Sequence, residues 1–183
     1  MPGKLQRGYV HIYTGSGKGK TTASMGLGLR AASSGLKVCM FQFLKSIGSS
    51  SDNKALIPNF KVICFDQVHP MFSKVSKCQS VKVSENALKR KILKDLKKVK
   101  TALKSKRYDV VILDEVINCV SGKFLEEIKI LDLIKAKPKC VELVLTGRGL
   151  GRKLASRADY VTRFDKVKHP FDKGIPARRG IEF

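Results

Sequence analysis

The feature that most constrains this chain is a stretch rich in glycine and lysine near its start, TGSGKGKTT at residues 14–22. It follows an apolar run at residues 9–13 that is typical of a buried strand, and it precedes residues 23–32, which are typical of a helix. A strand, a glycine loop, a Lys-Thr pair and a helix form the P-loop arrangement, whose backbone N–H groups face a phosphate. A flexible turn that only links strand to helix is the alternative. The stretch with its two flanks favours a phosphate-binding loop.

Each residue type in this loop has its own expected role. The glycines at 15, 17 and 19 can adopt the positive φ values that turn several N–H groups towards one point. Lys20 is expected to reach the phosphates, and the hydroxyl of Thr21 is expected to hold Mg²⁺. Thr14 stands where the general pattern has its first glycine. The predicted phosphate-binding residues are Gly15, Ser16, Gly17, Lys18, Gly19, Lys20, Thr21 and Thr22.

A second acidic landmark lies in residues 108–115, YDVVILDE. The apolar residues 110–113 predict a buried strand that ends in two carboxylates, Asp114 and Glu115. Ligands gather at the carboxyl ends of parallel strands, so this pair is expected beside Lys20 and Thr21. The alternative for an Asp-Glu pair is that it only caps the next element. Together with the loop, the pair favours a metal site made of Thr21, Asp114 and Glu115.

The rest of the chain alternates strands and helices. Further strands are predicted at residues 37–44, 60–65, 141–146 and 160–164, with helices at 83–106, 125–136 and 152–157. Arg148 follows the strand at 141–146, where its guanidinium can bind phosphate oxygens or, alternatively, loop carbonyls. The tail, residues 168–183, is expected to lack regular structure. The pattern predicts one α/β domain over residues 1–183, P-loop NTPase-like (RecA-like), with a mostly parallel sheet flanked by helices.

Composition restricts the surroundings and partners of the chain. No apolar run is long enough to span a bilayer, and the first residues lack the apolar stretch of a secretory signal. The five cysteines are dispersed and never in C-x-x-C spacing, which indicates reduced thiols in a cytoplasm. The net charge of +22 is compatible with nucleic acid or an acidic protein as partner. The lysine-rich face of helix 83–106 has no interleaved aromatic residue, so a solvated face is favoured over a nucleic-acid stripe.

Several motifs together resemble the P-loop ATP:corrinoid adenosyltransferases, which act on cob(I)alamin or cob(I)yrinic acid a,c-diamide. They are YTGSGKGKTTA at 13–23, VILDE at 111–115, TGRG at 146–149, AD at 158–159, KHPFDKGI at 168–175 and RGIEF at 179–183. The resemblance runs nearly end to end, and the threonine at position 14 is shared with this family.

The resemblance implies transfer of the 5′-deoxyadenosyl group of ATP to the Co(I) of a reduced corrinoid, with release of triphosphate, in adenosylcobalamin synthesis or salvage. It implies Lys20, Glu115 and Arg148 as catalytic residues, with Mg²⁺ or Mn²⁺ as the metal. Arg148 and Arg30 are candidates for binding the nucleotide. A P-loop kinase or NTPase and a nucleic-acid-binding ATPase are the rival functions.

The corrinoid side is where the sequence departs from some relatives. Those relatives place a Trp near a Phe after the third strand, and this chain contains no Trp. His69, Met71 and Phe72 occupy the comparable region and are the candidate corrinoid contacts; Phe72 is the hypothesis for the lower face of the ring. A loop phenylalanine that anchors to the core is the alternative. The resemblance also implies a homodimer and a reduced flavoprotein as electron donor.

Overall fold

The computed structural model describes residues 4–46, 57–67 and 84–182. In these ranges the chain forms a sheet of six strands, all paired in parallel, in the order β3-β2-β4-β5-β1-β6. The strands are β1 (Val10–Thr14), β2 (Val38–Gln42), β3 (Phe60–Cys64), β4 (Val110–Asp114), β5 (Glu142–Thr146) and β6 (Tyr160–Arg163). This confirms the predicted parallel sheet of an α/β fold.

Five α-helices connect these strands within the described residues. They are α1 (Lys20–Ser33), α2 (Glu85–Lys104), α3 (Val116–Ser121), α4 (Glu127–Lys135) and α5 (Arg152–Ala155). Four correspond to predicted helices, whereas the short α3 was not predicted. The tail was expected to be irregular, but it contains one 3₁₀ turn at Pro170–Lys173, which begins at a proline and ends at Gly174 with φ 73°.

The sheet is covered on both faces, which explains why its central strands read as continuous apolar runs. Every residue of β2 and of β4 is buried. Side chains alternate along β4: Val110 and Ile112 pack with α1, while Val111 and Leu113 belong to the core on the other face.

Helix α2 shows how the sequence pattern becomes packing. Ser84 caps its N-terminus by accepting a hydrogen bond from the N–H of Ala87. Its buried apolar residues follow the predicted helical spacing, and its lysine-rich side stays exposed. The buried apolar positions are Leu88, Ile92, Leu96, Val99 and Leu103. None of the described helices is long and apolar enough to cross a membrane.

The strand order positions the candidate site. Because β4, β5 and β1 are neighbours, the loops at their carboxyl ends lie side by side. These loops carry the glycine stretch after β1, Asp114 and Glu115 after β4, and Arg148 after β5. A parallel sheet therefore gathers residues that lie more than 100 positions apart in the sequence.

Candidate active site at the carboxyl ends of the strands

The loop between β1 and α1 has the expected geometry at two of its three glycines. Gly15 and Gly19 adopt φ values of 106° and 115°. The expectation of a positive φ is wrong for Gly17. A Cβ at Gly17 would lie 2.7 Å from the carbonyl oxygen of Asp165, so glycine is required there for the close approach of another segment.

Lys20 turns back into this loop. Its Nζ donates hydrogen bonds to the carbonyl oxygens of Gly15, at 2.8 Å, and Gly17, at 2.6 Å. Burial lowers the pKa of Lys20, the nearby guanidinium of Arg148 lowers it further, and Glu115 and Asp114 act in the opposite direction. The ammonium group therefore lies inside the loop, within electrostatic range of the arginine after β5.

Asp114 is the buried centre of the site, with no exposed surface. Its Oδ1 accepts hydrogen bonds from the hydroxyls of Thr21, at 2.9 Å, and Thr146, at 2.7 Å. Its Oδ2 lies 2.8 Å from Nζ of Lys45. The carboxylate thus ties together the first residues of α1 and the ends of β2, β4 and β5.

Glu115 occupies the sharp turn from β4 into α3. Its φ of 61° is left-handed, and its N–H donates to the hydroxyl of Thr146 at 2.9 Å. Burial raises the pKa of Glu115 to about 7, and the adjacent charge of Asp114 adds to the rise, while Lys45, Arg148 and Lys20 oppose it. The second carboxylate therefore lies in a largely desolvated position among three cations.

Arg148 is exposed, but its backbone is held firmly. Its N–H donates to Oδ1 of Asn118 in α3, at 2.5 Å. The preceding Gly147 has a φ of 143°, and a Cβ there would lie 2.7 Å from the same amide oxygen. The glycine allows α3 to approach the end of β5, which directs Arg148 to the edge of the sheet that holds Lys20.

Comparison with known proteins agrees with this arrangement. Residues 6–183 match the sequence model of the ATP:corrinoid adenosyltransferases BtuR/CobO/CobP. The corrinoid adenosyltransferase of Escherichia coli (strain K12) is 30% identical over 97% of this chain and 87% of its own length. The corrinoid adenosyltransferase CobA of Salmonella typhimurium (strain LT2) is 29% identical with the same coverage.

The chain belongs to the ATP:corrinoid adenosyltransferase family. It is therefore a transferase whose substrates are ATP and a corrinoid.

Solved structures support the fold of this adenosyltransferase. The KaiC-like protein PH0186 of Pyrococcus horikoshii OT3 aligns with a TM-score of 0.55 and 14% identity over 90% of this chain and 76% of that one. The flagellar accessory protein FlaH of Methanocaldococcus jannaschii aligns with a TM-score of 0.53 and 18% identity over 87% and 72% of the two chains. At these identities the likeness concerns the fold, which is RecA-like as predicted.

The structure of the adenosyltransferase brings most of the predicted site residues together. Lys20, Thr21, Asp114, Glu115 and Arg148 share the carboxyl edge of the sheet.

Among the described residues, Arg30 stands apart from this group. Arg30 lies in the last turn of α1, about 15 Å along the helix axis from Lys20, and it is exposed. His69, Met71 and Phe72 lie outside the described residues.

Three residues of the site received no role from the sequence. Lys45 reaches Asp114 from the end of β2, Thr146 connects Asp114 with the N–H of Glu115, and Asn118 holds the backbone of Arg148. The signal for Lys45 was its place directly after a buried strand. The sequence does not show which strand lies beside β2, so Asp114 could not be predicted as the partner of Lys45.

The donor set suits Mg²⁺ bound partly through the substrate. The described residues contain no group of three or more His, Cys, Asp or Glu side chains placed to hold a metal. Mg²⁺, however, commonly uses one or two protein oxygens together with phosphates and waters. The hydroxyl of Thr21 and the carboxylate of Asp114 offer oxygen atoms that are hydrogen-bonded to each other, and Glu115 follows in the chain. The residues therefore fit the metal.

Proposed function

We propose that the loop at residues 15–22 holds the triphosphate chain of ATP while the 5′-deoxyadenosyl group moves to the Co(I) of a reduced corrinoid. The observation that carries this proposal is the convergence of Lys20 and Arg148 on one edge of the sheet, beside Thr21, Asp114 and Glu115. Two cations and a metal-binding carboxylate set suit a highly charged leaving group.

The reaction requires one displacement. The electron pair of Co(I) forms a bond to the 5′ carbon of the ribose, the bond between that carbon and its oxygen breaks, and the pair leaves on triphosphate. Cobalt is thereby oxidised to an alkyl-Co(III) species. Since Co(I) is itself a strong nucleophile, the protein has to align the reactants and bind the leaving group.

The residues of the loop and of the neighbouring strand ends have separate roles in binding the leaving group. Lys20 and the N–H groups of the loop hold phosphate oxygens, and Arg148 binds them from the end of β5. Thr21, Asp114 and Glu115 would hold Mg²⁺ or Mn²⁺. The metal, when bound, offsets negative charge on the triphosphate.

On the corrinoid side the proposal assigns His69, Met71 and Phe72, which lie outside the described residues. An apolar ring at Phe72 would exclude an axial ligand from the lower face of the corrinoid. It would thereby favour the cobalt state from which reduction to Co(I) takes place. We expect Phe72→Ala to lose activity when reductant is limiting. Full activity of this variant under that condition would contradict the assignment.

The proposal extends to the setting of the enzyme: a cytoplasmic homodimer that receives electrons from a reduced flavoprotein. The exposed basic side of α2 supports docking of an acidic donor, with its cations at Arg90, Lys91, Lys94, Lys97, Lys98, Lys100 and Lys104. Added salt should then slow reduction by the flavoprotein but not by a chemical reductant. Equal salt sensitivity in both assays would count against this docking.

The decisive test incubates the protein with ATP, Mg²⁺ and chemically reduced cobalamin. We expect a light-sensitive adenosylated product and one equivalent of triphosphate, and we expect Lys20→Ala to lose both. ADP with phosphate would instead favour a kinase or NTPase, and hydrolysis that DNA stimulates would favour a nucleic-acid-binding ATPase.

A further inference from the structure

The chain that follows β6 returns to the phosphate-binding loop and packs against it. The N–H of Gly17 donates to the carbonyl oxygen of Phe164 at 2.8 Å. A Cβ at Gly15 would lie only 2.3 Å from the same oxygen, and one at Gly17 would lie 2.7 Å from the carbonyl oxygen of Asp165. Part of the glycine content of the loop therefore serves contact with this segment.

A second contact joins the loop to the end of the described chain. Nζ of Lys18 lies 3.1 Å from Oε1 of Glu182. The same carboxylate accepts hydrogen bonds from Arg178, from its N–H at 2.7 Å, its Nε at 3.2 Å and its Nη2 at 3.0 Å. Residues 170–181 are all exposed, whereas the side chain of Glu182 is only 17% exposed. Glu182 is thus the point at which the tail meets the loop.

We propose that Glu182 is a positioning residue that acts through Lys18 to hold the loop in the shape that receives ATP. The inference deepens the proposed function, since it rests on the assignment of residues 15–22 as the triphosphate holder. Lys18 stands between Gly17 and Gly19, and glycine has a wider range of backbone conformations than any other residue. An ion pair from the tail restricts this part of the loop before ATP arrives, which reduces the ordering that binding must impose.

Docking of the tail also changes the charge beside the loop. Glu182 brings Arg178 close to Lys18, so the contact places two cations around one carboxylate at the loop. A net positive charge remains there for the incoming triphosphate. By linkage, tail docking and ATP binding must strengthen each other by the same factor.

The first experiment compares Glu182→Gln with Asp172→Asn. The control removes the 2.7 Å ion pair between Lys166 and Asp172, which joins the same tail to a residue outside the loop. For Glu182→Gln we expect KM for ATP to rise about threefold, as for loss of one partly exposed ion pair, with kcat at saturating ATP and KM for the corrinoid unchanged. Asp172→Asn should behave like the wild type.

The second experiment measures the reverse coupling by limited trypsin digestion of the full chain. The tail offers cleavage sites at Lys173, Arg178 and Arg179. ATP alone, without corrinoid, should slow release of the terminal peptides from the wild type and from Asp172→Asn. Glu182→Gln should be cleaved faster, and ATP should protect it less.

A double-mutant cycle tests whether the effect runs through Lys18. Lys18→Met should itself raise KM for ATP, and Glu182→Gln added to it should cause no further rise. The inference is overturned if Glu182→Gln matches Asp172→Asn, if it lowers KM, or if its effect persists without Lys18.

Lys20→Ala separates this inference from the proposed function. If Lys20→Ala leaves ATP binding intact, the loop is not the triphosphate holder and the proposed function fails. If Lys20→Ala abolishes binding while Glu182→Gln is silent, only the role of Glu182 fails.

Discussion

Two regions contact the glycine loop between β1 and α1, and they differ in how far their charges are exposed to water. At the end of β4, Asp114 is fully buried and lies 2.8 Å from Lys45, whose side chain is 16% exposed. At the end of β6, Arg163 and Asp165 form a pair at 2.7 Å, but their side chains are 74% and 60% exposed.

The two ion pairs have nearly equal distances and should have very different energies. Water screens the pair at the end of β6, so its formation or loss changes the free energy of unfolding little. Removal of one partner at the end of β4 leaves a poorly solvated charge without its counterion. Burial, and not the distance between the charges, therefore sets how much each region constrains the loop.

The largest expected difference in stability comes from replacing the aspartate of each ion pair by asparagine. Asp114→Asn should lower the free energy of unfolding by about 3–5 kcal/mol, because Lys45 loses its buried counterion. Asp165→Asn should lower it by about 0–1 kcal/mol. Urea denaturation of both variants measures the difference, and equal losses would refute the distinction between the regions.

Glu115 adds a pH dependence that is specific to the buried region. Its pKa is raised to about 7 from 4.5, so between these values the folded state binds more protons than the unfolded state. In metal-free protein with EDTA, stability should therefore fall by about 3 kcal/mol as the pH rises from 4.5 to 7. Urea denaturation across this window should show that Glu115→Gln removes the fall. An unchanged profile would contradict the raised pKa.

Gly15 sharpens the comparison at the interface between the loop and the segment after β6. Gly15→Ala combines a φ of 106° with a clash against Phe164, and it should cost about 2 kcal/mol or more. Gly26→Ala is the matched control, because a Cβ at this helical position meets nothing within 4 Å. It should stabilise the protein by about 0.5–1 kcal/mol. Thermal unfolding should show a lower melting temperature for Gly15→Ala and a higher one for Gly26→Ala. A melting temperature of Gly15→Ala equal to that of the wild type would contradict the close contact between Gly15 and Phe164.

The smallest effect is expected at Glu182, whose pKa shifts in the opposite direction from that of Glu115. Its hydrogen bonds with Arg178 lower the pKa to about 2, so its contribution is present above pH 4.5 and is lost as the pH falls towards 2. Glu182→Gln should flatten the acid side of the stability profile slightly. If the wild type and Glu182→Gln have the same slope of stability against pH between 2 and 4.5, the carboxylate is not held in its charged form.

Much of the fold could be predicted because the relevant signals are local. The apolar spacing of α2 places Leu88 and Ile92 on one side of a helix whatever the helix packs against. The run at 110–113 predicts a buried strand, and every residue of β4 is buried. Helix α3 was missed because its six residues directly follow Glu115 and are too short to show a period.

The candidate site was predictable only as far as its motifs reach. Lys20, Thr21 and the Asp114–Glu115 pair carry signals within a few residues, and the structure brings them together. The roles predicted for individual site residues, and the extent of one domain over residues 1–183, stay predictions.

By itself, the sequence determined the glycine loop between β1 and α1, the acidic end of β4, the parallel α/β architecture and the family, because these depend on short patterns and on their order. Tertiary structure alone decided that Lys45 neutralises Asp114 and that Glu182 meets Lys18. The first two partners are 69 positions apart in the sequence and the second two are 164 positions apart. They meet because of strand order and the path of the tail, which no local pattern encodes.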